Sequence, residues 1–239
     1  MLAALEVSTR LCSVALLDLQ GVEAPEETRL ADNVDSAAVL MPTLQAMLAR
    51  RSKAPQDLAA LAVSIGPGSF TGIRVGLASA QGFCLPSELP AFGIPTLDGL
   101  AENLRADGWF GEALCLIDAQ RGECFVGHYQ VHPEGFETLT PPRILAPAAL
   151  PDIVKGRVWL VGPGALKYEA ELHKALGTQA LLAFTQSHRP RASSLARLAQ
   201  KAWNEGKRPT ASDLKPLYIR IPTPDEKIWK DGRSGVPGV

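Results

Sequence analysis

The feature that most constrains the fold is a Gly-Pro-Gly turn that occurs twice, each time directly after a short apolar run. Leu61 to Ile65 runs into Gly66-Pro67-Gly68, and Val158 to Val161 runs into Gly162-Pro163-Gly164. Glycine and proline together end a strand in a tight turn, and a helical stretch follows both turns. A repeated unit of strand, turn and helix is typical of an α/β protein.

Each Gly-Pro-Gly turn is preceded by a pattern that predicts a β-hairpin. Leu2 to Val7 and Cys12 to Leu17 are apolar runs separated by a short polar segment. In the second half, Ala113 to Ile117 and Glu123 to Tyr129 are separated in the same way. The two halves of the chain therefore share the order hairpin, helix, strand, Gly-Pro-Gly, helix.

Two acidic residues support a duplication. Glu6 precedes Cys12 by the same six positions by which Asp118 precedes Cys124, and both acids end the first strand of a hairpin. Chance similarity is the alternative, because Gly-Pro-Gly is common turn chemistry and the intervals between features differ in the two halves. The sequence favours two related lobes of residues 1–106 and 107–221, followed by a loose tail of residues 222–239.

Three helices stand out by their apolar spacing. Asp35 to Arg50 carries Leu40, Leu44 and Met47 on one face, with Asp35 or Ser36 as its N-cap. Thr96 to Arg105 and Ser193 to Asn204 show the same period.

Composition narrows the class of protein. Of 239 residues, 46% are hydrophobic and 21% are charged, as in a globular protein. Lys and Arg number 24 against 25 Asp and Glu, so autonomous binding to RNA or DNA is disfavoured. Neither a basic leader nor a membrane-length apolar run is present, so we expect a cytoplasmic protein. The four cysteines form no C-x-x-C pair, and we expect buried, reduced thiols.

The first Gly-Pro-Gly belongs to a longer glycine turn, Gly66-Pro-Gly-Ser-Phe-Thr-Gly-Ile-Arg74, which opens a predicted helix from Ile73 to about Cys84. Backbone N–H groups at such a place can face an anion. The turn is no Rossmann fingerprint, because Thr71 stands where glycine is needed, and it is no P-loop. A simple tight turn with Ser69 or Thr71 as the helix cap is the alternative. Phe70, however, needs something to pack against, either the core or a partner.

The helix after the turn carries small residues at every fourth position, namely Gly72, Gly76 and Ala80. Such a stripe lets another backbone approach closely, but each glycine weakens an isolated helix by up to about 1 kcal/mol relative to alanine. Packing within the subunit or across an interface has to offset that cost.

These motifs together resemble the TsaB family. The resemblance rests on G-P-G-S-F-T-G-I-R-V-G from Gly66 to Gly76, the amino-terminal L-E-V-S-T-x-x-C-S-V-A-L, and the L-I-D-A-x-x-G-E around Asp118. It extends over nearly all of residues 1 to 220, including the closing Lys215-Pro-Leu-Tyr-Ile-Arg220.

The resemblance implies an actin/Hsp70-like (ASKHA, RNase H-like) fold of two duplicated lobes. It also implies a non-catalytic subunit that pairs with a TsaD-like catalytic subunit and a TsaE-like ATPase to form N6-threonylcarbamoyladenosine in tRNA next to the anticodon. On this view the chain has no cofactor of its own and does not contact a membrane. The complex uses ATP, and the chain contacts tRNA only through the complex. The chain alone can form a homodimer. The family's pairing surface is built from amino-lobe helices, which here predicts contacts by Leu40, Leu44, Met47, Phe70, Gly72, Ile73, Gly76 and Ala80.

Two departures from the family affect the predicted sites. Glu6 stands where relatives usually have aspartate, and Asn33 to Ser36 lacks the histidine that often precedes the first helix. Glu6 and Asp118 are expected to be vestigial carboxylates. For Asp118 the alternative is that it caps its turn through Gln120-Arg121-Gly122. The glycine turn remains a candidate nucleotide or interface site, carried by Gly66, Gly68, Ser69, Thr71 and Arg74.

Two other functions stay open. In an independent ATP-binding enzyme of the same fold, Glu6, Asp118 and the glycine turn would clamp phosphate. In a metallopeptidase, His128 and His132 would bind the metal in an H-x-x-x-H pair. The second is disfavoured because both histidines fall on a predicted strand, where exposed histidines without metal are the better account. The sequence also has no G-x-S-x-G elbow for a serine nucleophile.

Overall fold

The computed structural model describes residues 1–20, 23–31 and 36–220, with the side chain of Ser36 left out. The N-cap predicted at Asp35 or Ser36, the departure at 33–36 and the tail at 222–239 lie outside the described residues or side chains.

Two five-stranded sheets form the framework, and helices cover them. The first half of the chain contributes β1 (Leu2–Glu6), β2 (Ser13–Leu17), β3 (Glu26–Arg29), α1 (Ser36–Arg50), β4 (Ala60–Gly66), α2 (Phe70–Cys84), β5 (Ala91–Pro95) and α3 (Thr96–Ala106). The second half contributes β6 (Gly111–Asp118), β7 (Cys124–His132), β8 (Gly135–Leu145), β9 (Val158–Val161), α4 (Pro163–Lys167), α5 (Glu169–Leu176), β10 (Ala180–Leu182) and α6 (Ala192–Asn204).

The two sheets have the same topology. Their orders are β3-β2-β1-β4-β5 and β8-β7-β6-β9-β10. In each, the first three strands of the half pair antiparallel, and the next two continue from the central strand in parallel. This repetition confirms the expected fold of two duplicated lobes and both predicted hairpins.

Strand register corrects one detail of the repeat. Glu6 lies opposite Ser13, whereas Asp118 lies opposite Cys124. Ser13, not Cys12, is therefore the counterpart of Cys124, because the turn of the first hairpin is one residue longer.

The last helix of each half packs on the sheet of the other half. α3 follows β5 but contacts β6, β7 and β8, while α6 follows β10 but contacts β1 and β2; α3 and α6 also contact each other. The strands before residue 107 form one sheet and the strands after it form the other, in line with the predicted boundary. α6, however, packs on the first sheet.

The first sheet is buried on both faces. One face packs on α1 and α2 through Leu5, Leu40, Met47 and other apolar residues, and the opposite face packs on α6 through residues such as Leu2 and Leu195. Because both faces are covered, β1 is buried at every position instead of alternating between apolar and polar residues.

The four cysteines are buried thiols, as expected. Within the described residues, no helix is long and apolar enough to cross a membrane.

Candidate functional site

The glycine turn joins β4 directly to α2. β4 ends at Gly66, and α2 begins at Phe70, three residues earlier than the spacing predicted. The hydroxyl of Ser69 accepts a hydrogen bond from the backbone N–H of Gly72 at 3.2 Å. Ser69 is therefore the helix cap, and Thr71 lies exposed in the first turn.

The glycines of this turn are needed for contacts inside the chain. A Cβ atom on Gly68 would lie 2.2 Å from the carbonyl oxygen of Ser8, and Gly68 has a φ of +154°. The backbone N–H of Ser69 donates to the same Ser8 carbonyl at 2.6 Å. At Gly66, a Cβ atom would lie 3.2 Å from the carbonyl oxygen of Leu217. Close packing on the first hairpin and on the closing segment explains these glycines; contact with a nucleotide remains a prediction.

Glu6 stabilises the glycine turn indirectly, through Ser8. Its side chain is fully buried, and its Oε1 accepts hydrogen bonds from the backbone N–H and the hydroxyl of Ser8, at 2.6 and 2.5 Å. Burial raises the pKa of Glu6 from 4.5 to about 7, although the Ser8 hydrogen bonds act in the opposite direction. The backbone carbonyl of Ser8 in turn accepts a hydrogen bond from the backbone N–H of Ser69. Glu6 therefore fixes the turn of the first hairpin, and that turn fixes the glycine turn.

Asp118, the counterpart of Glu6, is engaged on both oxygens. It accepts hydrogen bonds from Lys167 Nζ at 2.5 Å and from the hydroxyl of Tyr168 at 2.8 Å. The backbone and side-chain amides of Gln120 donate to it at 3.0 and 2.9 Å. Partial burial acts to raise the pKa of Asp118, but these hydrogen bonds outweigh it and lower the pKa below its usual value. Asp118 thus caps its turn and ties it to α4.

The two carboxylates therefore do not form a phosphate clamp. Glu6 has no exposed surface with which to contact a ligand, and the oxygens of Asp118 are occupied by its own lobe. This geometry weakens the hypothesis of an independent ATP-binding enzyme.

Phe70 lies on the surface beside the turn and is 44% exposed. Its ring stacks on Tyr218 with centroids 5.7 Å apart, and the guanidinium of Arg74 lies 3.8 Å from its centroid. Arg74 Nε also donates to the Tyr218 hydroxyl at 3.2 Å. Sequence reasoning gave Tyr218 no role, although the closing segment that contains it was part of the resemblance.

The small-residue stripe of α2 faces inward, which corrects the predicted interface. Ala80 is fully buried, and a Cβ atom on Gly76 would lie 2.3 Å from Val7 Cγ2. A Cβ atom on Gly72 would lie 2.3 Å from the Val7 carbonyl oxygen. The stripe thus lets α2 approach β1 within the subunit, and Gly76 and Ala80 are buried by this contact, while Gly72 stays half-buried.

Four other predicted interface residues are buried in the same way. Leu40, Leu44 and Met47 of α1 are fully buried, and Ile73 of α2 is 2% exposed. Helical spacing located the apolar face of each helix correctly, but that face packs on the first sheet. Of the predicted interface, Phe70 alone offers a large exposed side chain.

The outer surface of these two neighbouring helices has a distinct composition. We call it the α1/α2 face, and its exposed or half-buried residues include Ala38, Met41, Pro42, Gln45, Ala46, Ala49, Val75, Ala78, Ser79 and Gly82. Within residues 36–50 and 70–84, Arg50 and Arg74 are the charged residues, and there is no carboxylate. A surface that is nearly uncharged and rich in apolar atoms is typical of the centre of a protein interface.

The histidine pair does not form a metal site. His128 and His132 lie on β7, where four residues span about 13 Å. His128 Nε2 lies 2.8 Å from Glu112 Oε1, and His128 is 5% exposed, so the expectation of an exposed histidine was wrong there. Among the residues that the structure describes, no group of three or more His, Cys, Asp or Glu side chains could hold a metal ion.

Comparison with known proteins identifies the family. Residues 34–222 match the family model for TsaD, tRNA N6-adenosine threonylcarbamoyltransferase. The chain is 30% identical to the tRNA threonylcarbamoyladenosine biosynthesis protein TsaB of Bacillus subtilis, over 97% of this chain and 98% of that protein. Identity with TsaB of Escherichia coli is also 30%, over 95% and 96% of the two chains. The solved structure of YeaZ from Pseudomonas aeruginosa superposes with a TM-score of 0.77 at 26% identity, covering 91% of this chain and 98% of that one. The chain belongs to the TsaB family.

Proposed function

We propose that this chain is the non-catalytic subunit of a complex that forms N6-threonylcarbamoyladenosine in tRNA next to the anticodon. The observation that carries the proposal is the likeness, over nearly the whole chain, to curated proteins named for tRNA threonylcarbamoyladenosine biosynthesis. In this role the chain pairs with a TsaD-like catalytic subunit and activates it.

The α1/α2 face supports pairing. Two adjacent helices present alanine, glycine and other short side chains, so a partner helix can approach closely without burying unpaired charge. Phe70 and Arg74 lie at the start of α2 and extend this face with larger groups that suit an interface anchor. We assign the pairing surface to these exposed residues, which replace the buried ones predicted from spacing.

The engagement of the candidate catalytic groups within the described residues supports a helper role. The two strand-end acids, Glu6 and Asp118, are engaged within their own hairpins, and His128 pairs with Glu112. We therefore place the chemistry on the TsaD-like subunit. In the proposed complex, ATP is used with a TsaE-like ATPase, this chain has no cofactor of its own, and the work takes place in the cytoplasm. The same α1/α2 face would pair two copies of this chain when no partner is present.

Reconstitution tests the proposal. Purified chain is combined with TsaD-like and TsaE-like subunits, unmodified tRNA, threonylcarbamoyl-adenylate and ATP, and the modified adenosine is measured. We expect modification that requires this chain, while the chain alone modifies nothing. Modification that proceeds equally without it would contradict the proposal, and ATP turnover by the isolated chain would favour an independent ATP-binding enzyme.

A single exposed alanine tests the pairing surface. Ala46 lies exposed on α1, so Ala46→Arg adds a long charged side chain to the α1/α2 face without disturbing the core. We expect loss of co-elution with the TsaD-like subunit and an unchanged melting temperature. Ala170→Arg is the matched control, since Ala170 is equally exposed on α5 of the other lobe. Pairing that survives Ala46→Arg would refute this location of the interface.

A further inference from the structure

The second lobe carries an exposed aromatic ring that is held in a fixed position. Phe184 follows β10 and is 62% exposed. Its ring packs on Trp109 with centroids 5.0 Å apart, and Trp109 packs on Trp159 with centroids 4.6 Å apart. Trp159 is fixed in turn by a hydrogen bond of 3.1 Å from its Nε1 to the carbonyl oxygen of Phe110. Phe184 is thus a supported ring that is open to solvent.

Phe184 borders an open groove between the two lobes. The groove has a volume of about 580 Å³ and is lined by Arg29 of β3 and by Phe184, Thr185, Gln186 and Arg189 of the segment between β10 and α6. None of these residues is acidic. In the described part of the chain, neither Arg29 nor Arg189 takes part in an ion pair.

Among the residues that the structure describes, two acids near the groove, Glu27 and Asp107, are engaged elsewhere. Glu27 borders the adjoining cavity together with Arg29, but its carboxylate accepts hydrogen bonds from the backbone N–H of Ala192 at 3.0 Å and the hydroxyl of Ser193 at 2.9 Å. Asp107 is held by Arg191 through two hydrogen bonds of 2.8 Å. The guanidinium groups of Arg29 and Arg189 are therefore left to a ligand.

The described lining of the groove offers a stacking surface and hydrogen-bond donors and contains no carboxylate. Unpaired bases stack on aromatic rings, and arginine binds phosphate oxygens. Thr185 and Gln186 add groups that can bond to base edges. We propose that this groove binds a single-stranded segment of RNA, with a base on Phe184 and phosphates on Arg29 and Arg189.

This inference rests on the proposed function, since it assigns to this subunit part of the contact with tRNA. It also agrees with the net charge of −1, which argues against strong RNA binding by the isolated chain. Two arginines and one ring supply a local contact that acts together with the catalytic subunit.

Fluorescence anisotropy tests the groove. An end-labelled, unmodified tRNA transcript is titrated with the complex of the full chain and the TsaD-like subunit. Phe184→Ala should raise Kd at least about fivefold, the loss expected for one stacked base. Phe184→Leu should weaken binding similarly, because it keeps an apolar side chain but removes the ring. The double variant Arg29→Gln/Arg189→Gln should reduce the slope of log Kd against log salt by about 1.4.

Two control variants sit away from the groove. Leu139→Ala removes an exposed apolar side chain on β8, at the opposite edge of the second sheet from β10. Arg157→Gln removes the same charge from an exposed arginine that does not line the groove. Both should keep Kd within about twofold of the unaltered chain.

Failure of this inference is separable from failure of the proposed function. Co-elution with the TsaD-like subunit is measured for every variant, and ultraviolet crosslinking of tRNA to the isolated full chain maps the contact without any partner. Crosslinks at Phe184 would support the groove even if pairing failed. Unchanged Kd in paired variants, with crosslinks mapped elsewhere, would overturn it. Loss of TsaE-like ATPase binding with unchanged tRNA affinity would overturn it too, and would identify a protein-docking surface.

Discussion

Replacing a single glycine in α2 tests whether the small-residue stripe is an internal contact. Gly76 and Gly82 lie in the same helix, but their surroundings differ. A Cβ atom on Gly76 would lie 2.3 Å from Val7 Cγ2 and 3.3 Å from Val63 Cγ2, whereas a Cβ atom on Gly82 meets nothing within 4 Å. Gly76→Ala and Gly82→Ala therefore make the same chemical change in a crowded and an open place.

The expected free energies follow from these distances. Alanine stabilises a helix by up to about 1 kcal/mol relative to glycine, and both variants receive this gain. Overpacking a core by one methyl group costs about 1 to 3 kcal/mol, and Gly76→Ala alone incurs it. Gly82→Ala should thus stabilise the chain by about 0.5 to 1 kcal/mol. Gly76→Ala should be about 1 to 3 kcal/mol less stable than Gly82→Ala.

Thermal and urea unfolding, followed by far-ultraviolet circular dichroism, measure the difference. For a chain of this size, Gly76→Ala should melt about 2 to 12 °C below Gly82→Ala. Adding Val7→Ala should recover about 1 kcal/mol or more relative to the sum of the single changes, because it removes the methyl group that clashes. Equal stability of the two glycine variants, or no coupling to Val7, would refute an inward-facing stripe.

Two further changes test buried charge. Between pH 4.5 and about 7 the folded chain keeps a proton on Glu6 that the unfolded chain has released. The contribution of this proton to the free energy of unfolding is therefore complete below pH 4.5 and is lost as pH rises through 7. Urea unfolding should show this as a loss of about 3 kcal/mol that Glu6→Gln abolishes; the same slope in the variant would show that another group titrates. Asp107→Asn should lower the unfolding free energy by about 2 to 4 kcal/mol, because it leaves the partly buried Arg191 guanidinium without its charge partner at the junction of α3 and α6. A loss below about 0.5 kcal/mol in urea would contradict that role.

Local sequence patterns predicted most of the secondary structure. Apolar runs on either side of a polar turn predicted the hairpins, and the spacing of apolar residues predicted the helices. The elements expected within a few residues of their observed bounds were β1, β2, β6, β7, α1, α3 and α6. The start of α2 was missed by three residues, because Thr71 and Gly72 in its first turn are weak helix formers.

Spacing could not predict which element would cover an apolar face. The periodicity of Leu40, Leu44 and Met47 shows only that one face of α1 is apolar. Either a sheet of the same chain or a partner protein could bury that face. The structure places the first sheet there, so the pairing surface that we propose lies on the opposite side of the helix. Gly76 was predicted to be an interface residue for the same reason. The Val7 side chain against which it packs is 69 positions away in sequence, so local spacing could not reveal this contact.

The candidate sites divide in the same way. The sequence by itself determined the duplicated α/β lobes, the glycine turn, the paired acids at the strand ends and the family. Each of these features depends on motifs of residues that are close together along the chain. Tertiary structure alone decided that Glu6 is fully buried, that Asp118 is held by Lys167, and that Phe184 and Arg29 line the same groove. Burial, ion pairing and shared grooves depend on residues that are distant in sequence, and only the packing of the two sheets and their exchanged helices brings those residues together.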